Sequence, residues 1–176
     1  MHKRRIRVPL GSDNFLSILE GVEGGFAIFA GIVVGLSFEE VPRNLLLITA
    51  GIGIVVSAFN SSAVRFASEH YLDELDGREK RHRVRSYFIP SAIEFLSYII
   101  VSLIALTPLI VIADLQQAII CSVGVTLAIL FLAGMYRGHL LMRHRAIRDG
   151  LEVAGLGALI IVVGGISGWL LSNFVV

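Results

Sequence analysis

Apolar residues run along this chain in five long blocks, with the polar residues gathered between them. The blocks span about 15–38, 45–67, 87–113, 115–136 and 151–174. Each is near the ~20 residues an α-helix needs to cross a hydrocarbon core ~30 Å thick. Their apolar character is continuous and does not alternate with period two, which excludes the strands of a membrane β-barrel. The pattern predicts an all-α integral membrane protein with five transmembrane helices. Residues 1–14 read as a basic tail, and 15–176 as a single transmembrane domain. The breaks differ in character. Residues 39–44 are short and acidic, with Arg43 among them. Residues 68–86 are long and highly charged. Asp114 alone separates blocks three and four, which predicts a tight hairpin. Residues 137–150 are basic.

Charge sets the orientation. The tail holds Lys3, Arg4, Arg5 and Arg7. The second break, with the end of block two, holds Arg65, Arg78, Lys80, Arg81, Arg83 and Arg85. The fourth holds Arg137, Arg143, Arg145 and Arg148. Of the 15 basic residues, only Arg43 falls on the other side. Cytoplasmic loops carry the excess of Lys and Arg, so the N-terminus is expected inside and the C-terminus outside. Interruptions at Pro9, Gly11, Ser12, Asp13 and Asn14 leave no signal-peptide core after the basic start, which reads as a cytoplasmic tail. A multi-pass protein of the inner or plasma membrane is expected.

Composition supports lipid as the solvent. The chain is 55% hydrophobic and 16% charged, with a mean hydropathy of +0.79. A net charge of +1 lacks the basic excess of a nucleic-acid binder. Cys121 is the single cysteine, so no intrachain disulfide can form. It reads as a small packing residue. Glycine concentrates in blocks one and five. Gly31-x-x-x-Gly35 and Gly164-x-x-x-Gly168 fit close helix approach, within one subunit or between two. Pro108 is a candidate kink in helix three.

Ionisable groups inside a span are costly and mark candidate sites. Glu20 and Glu23 lie in the first turns of helix one, three residues apart and on one face. Gly21, Gly24 and Gly25 between them leave room for a ligand or a partner backbone. Two carboxylates on one face call for a cation or a shared proton. A divalent metal held by oxygen ligands is one solution. Glu94 lies about two turns into helix three. Glu152 opens helix five, where an acid also favours the positive end of the helix dipole. Asn60, Ser61 and Ser62 form a polar cluster in helix two, able to supply ligands or interhelical hydrogen bonds. Arg65 can snorkel to the interface or pair with an acid of helix one.

The charged break carries Glu69, His70, Asp73, Glu74, Asp76 and Glu79. On a helix, Glu69 shares a face with Asp73 and His70 with Glu74, a pattern that collects cations or forms a solvated extension of helix two. The basic run behind it suits anionic headgroups. His139 and His144 lie among arginines and read as interfacial. No Walker A, nucleophile elbow, HExxH or CxxC motif is present, so an enzyme is not expected.

Three stretches carry a family resemblance. They are EGVEGGFAIFAGIVVGLS (20–37), SAIEFLSYIIVSLIALTPL (91–109), and the pair VTLAILFLAGMYRGHL (125–140) and IRDGLEVAGLGALIIVVGGISGWLL (147–171). In order and spacing they resemble the vacuolar iron transporter family of Fe2+ and Mn2+ transporters. The resemblance implies a homodimer that moves divalent metal out of the cytoplasm by proton antiport, with the ion as cargo and no cofactor. It also implies a metal or proton role for Glu20, which falls on the family's helix-one acid. Glu23, Glu94 and Asn60 join Glu20 as candidate metal residues on their own chemistry. The chain departs from the family in helix two, where GIGIVVSAFNSSAVRF (51–66) offers neither the usual Glu nor the usual Met. Only about 20 residues stand where many members carry a larger Glu-rich cytoplasmic domain. The competing expectations are a non-transporting scaffold or regulatory subunit that keeps the fold, and a transporter of another cation.

Overall fold

The computed structural model describes residues 12–38, 41–77, 84–141 and 146–175. The described chain is helical: α1 (Ser12–Leu36), α2 (Arg43–Leu75), a π-helical turn (Val84–Phe88), α3 (Ile89–Val111), α4 (Leu115–Leu141) and α5 (Ala146–Val175). The five α-helices are each long and apolar enough to cross a membrane. The tail residues 1–11, residues 39–40, the basic run 78–83 and residues 142–145 lie outside the described residues.

Successive helices run in alternating directions. Glu20 of α1, Arg65 of α2, Glu94 of α3 and Arg137 of α4 meet at one end of the bundle, which we call the charged end. At the opposite end Arg43 donates to the Ala113 carbonyl at 2.7 Å. Asp114 accepts from the Gln117 backbone N–H at 2.8 Å. This carboxylate caps the first turn of α4, where backbone donors have no helical partner. Asp114→Ala is expected to cost about 1 kcal/mol, read as a lower unfolding midpoint with the fold intact.

The helices outrun the apolar blocks at the charged end. α2 continues to Leu75, so the acidic half of the charged segment is a helical extension. Gly77 follows with φ +63°, a left-handed conformation that suits glycine after a helix. α4 runs on to Leu141 and α5 starts at Ala146. In α3, Pro90 sits in the first turn, where a missing N–H costs little. The helix continues past Pro108 to Val111.

Helix contacts are set by small residues. A Cβ on Gly164 would meet the backbone of Gly31, and one on Gly168 that of Gly35. The two GxxxG patterns therefore join α1 to α5 within one subunit. Gly21 and Gly25 face the α3 backbone, at Glu94 O and Tyr98 O. The room they leave in α1 is taken up by α3. A further set, Gly134, Gly138 and Gly150, brings α4 onto α5. Between these contacts lies a core of Phe29, Val33, Leu46, Ile54, Tyr98, Leu109 and Leu130. Buried Ser102 donates to the Gly25 carbonyl at 3.1 Å, and buried Ser122 to that of Ala105 at 2.5 Å. Such bonds tie helices together where no water competes. Cys121 does not pack in this core: it is exposed on the surface of α4.

Candidate functional site

The inward stripe of α2 explains where its polar groups go. Leu46, Ala50, Ile54, Ala58, Ser62 and Arg65 are all buried. They recur at three- and four-residue steps, one face of a 3.6-residue helix. Arg65 continues this stripe, so its side chain turns into the bundle and does not snorkel. Asn60 stands two residues from Ser62, about 200° around the helix, and is exposed. The structure does not bring it to the acids. Ser61, one residue on, reaches Glu94 instead.

Arg65 gathers three carboxylates. Its guanidinium contacts Glu20 of α1. Nη2 lies 2.7 Å from Glu69, one turn further along α2. Nε lies 3.8 Å from Oε2 of Glu94. Glu94 is only 3% exposed. The Ser61 hydroxyl donates to its Oε1 at 2.5 Å, while its Oε2 has no hydrogen bond. These side chains, with Val64, Ser68 and Leu72, line a cavity of about 360 Å3. Larger clefts lie between Phe59, Phe66, Phe88 and Phe95, along Gly31 and Gly164, and beside Ser37 and Gln116, but none of these three has a charged side chain in its wall. The polar cavity is the candidate site because buried charge needs a reason to be there.

Glu20 and Glu23 are not brought to one point. A step of three residues leaves them about 60° apart around α1. That is enough to send Glu20 toward α2 and Glu23 toward α4, where Arg137 donates to it at 3.2 Å. Glu152 is exposed in the second turn of α5. His70 stacks on Tyr87, with centroids 5.3 Å apart and rings 9° from parallel. Tyr87 donates to Asp73 at 2.9 Å. The cation-collecting face read from residues 69–74 is thus divided, with His70 and Asp73 engaged by the π-helical turn. Among the described residues no group of three His, Cys, Asp or Glu side chains has the arrangement of a preformed metal centre. A guanidinium stands among the carboxylates instead.

Ser61, a candidate for a ligand or an interhelical hydrogen bond, makes the latter to Glu94; Glu69, read only as part of a cation-collecting face, pairs with Arg65. The signal was present: Ser61, Arg65 and Glu69 follow one another at four-residue steps and so share a face.

Residues 58–169 match the profile of the VIT family. The chain belongs to the VIT family. The matched residues run from the polar part of α2 through most of α5, and include Ser61, Arg65, Glu69 and Glu94. Glu20 and Glu23 of α1 lie before them. Neither a curated protein nor a solved structure matches the chain. VIT-family membership makes this a multi-pass membrane protein of a kind that transports metal ions.

Proposed function

We propose that this VIT-family protein moves Fe2+ or Mn2+ out of the cytoplasm in exchange for protons, as a homodimer in the inner or plasma membrane. The observation that carries the reading is the excess of acid in the polar cavity. Three carboxyl groups, Glu20, Glu69 and Glu94, face one guanidinium, and the deepest has an oxygen without a hydrogen bond. Oxygen donors of this kind suit hard divalent cations. The cavity opens at the charged end, which the distribution of Lys and Arg assigns to the cytoplasm. An ion would load from that side, exchange part of its hydration shell for carboxylate oxygens, and cross by alternating access. Glu23 is held by Arg137 and Asn60 is exposed, so neither is given a ligand role within one subunit.

The test is uptake of Fe2+ and Mn2+ into proteoliposomes under a proton gradient. The wild-type chain is expected to move at least one of the ions, and Glu20→Ala to reduce flux to the level of empty vesicles. Absence of wild-type flux for both ions would sink the proposal. The arginine pairing of both α1 acids favours a second reading, a membrane scaffold with the family fold. A well-folded wild type without flux would support that reading.

A further inference from the structure

Arg65 stands where a bound cation would be expected, which the transport reading alone does not explain. Its side chain is 7% exposed, and it carries a guanidinium cation into the bundle. It touches acids from two helices, Glu20 and Glu69, and approaches a third, Glu94. Yet the fit is incomplete. Nε has no hydrogen bond, and neither has the Glu94 Oε2 that it faces across 3.8 Å. Both atoms are buried, where an unmade bond is costly.

We infer that Arg65 is a built-in counter-cation that holds the empty site and withdraws toward Glu69 when a divalent ion enters. The inference rests on the transport reading for the identity of the ion. Three features support it. Formal charge closes: three carboxylates are balanced by one guanidinium and one divalent cation, whereas a monovalent ion would leave one acid uncompensated beside buried Glu94. Glu69 lies one turn along Arg65's own helix and is more exposed than Glu94, 29% against 3%. The guanidinium can therefore keep this bond while it releases Glu20 and moves off Glu94. The space it leaves is bounded by hard oxygen donors, the carboxylates of Glu20 and Glu94 with the Ser61 hydroxyl. Arg65 would thus set both the charge of the accepted ion and the affinity of the site. An internal competitor weakens binding, and weaker binding lets an ion leave.

Equilibrium binding of Mn2+ to the purified full chain, followed by electron paramagnetic resonance of the free ion, tests this without any transport step. Arg65→Gln is expected to bind Mn2+ about tenfold or more tightly than wild type, in line with the dependence of affinity on ligand charge. Adding Glu94→Gln to that variant should remove the gain. Equal or weaker binding by a folded Arg65→Gln chain overturns the inference. If Arg65→Gln does not fold, the wild-type chain decides. Phenylglyoxal modification of Arg65, followed by peptide mass spectrometry, should accelerate as Mn2+ is added, because the guanidinium is released. Unchanged reactivity across the titration overturns the inference. Failure of the transport reading looks different: no wild-type flux, with the Arg65→Gln gain in binding still present.

Discussion

Glu94→Gln is expected to reduce Mn2+ flux in proteoliposomes by about a hundredfold, the scale on which ligand charge tunes divalent-ion affinity. The change is nearly isosteric. The amide oxygen can still accept the Ser61 hydroxyl, which now binds Oε1. What is lost is the negative charge and the second oxygen, Oε2, which has no hydrogen bond and faces Arg65 Nε. Glu94 is the most buried of the cavity's acids, so water screens its interaction with an ion least. The fold should not suffer. Replacing a buried charge by a neutral group of the same shape removes a desolvation cost along with the attraction, and the unfolding midpoint is expected to stay close to that of wild type. Glu23→Gln is the matched control. It also removes a carboxylate from a span, but one that faces Arg137 away from the cavity. It should retain flux within about threefold, a loss near that of a half-buried ion pair. Full flux in Glu94→Gln, or equal losses in the two variants, would remove Glu94 from the site.

The second large effect is structural. Gly168→Val should lower the unfolding midpoint by about 10 °C or abolish folded protein. The added carbons would meet the Gly35 carbonyl group and Cα. These are backbone atoms, which cannot swing aside as a side chain can. Overpacking costs about 1–3 kcal/mol, with backbone against backbone at the upper end, and at this chain length each kcal/mol corresponds to about 2–4 °C. Gly164→Val meets the Gly31 backbone in the same way. Gly124→Ala is the control, since nothing lies within 4 Å of a Cβ there. It should be neutral or slightly stabilising, because alanine loses less backbone entropy than glycine in a helix. Intact thermal stability in Gly168→Val would mean that α1 and α5 are not apposed through these glycines.

Much of the fold was legible in the chain because lipid imposes one rule on every span. Backbone groups must be satisfied within the segment, so a continuous apolar block of sufficient length becomes a helix. The five blocks and the fold class follow from that rule alone. Helix ends do not follow from hydropathy, because a helix can continue into water wherever its residues permit; there the spacing of charges is the guide. α2 does so for about two turns, through the acidic stretch whose charge pattern already fitted a solvated extension of helix two.

The candidate site was legible only in part. That Glu20 and Glu94 lie inside spans, and that such acids call for a cation, is written in the order of residues. Which arginine answers which acid is not. Glu20 and Glu23 look like one pair at helical spacing, yet neighbouring helices on either side of α1 claim them separately. Asn60 and Ser61 look equivalent in a polar cluster, yet one turns outward and the other bonds Glu94. The difference is a rotation of about 100° per residue, and its outcome depends on which face of α2 meets α3. Five apolar helices with acids in the membrane follow from the order of residues, since hydropathy is a property of each segment. The convergence of three acids on Arg65 arises only in the folded bundle, because it depends on how the helices are rotated and packed.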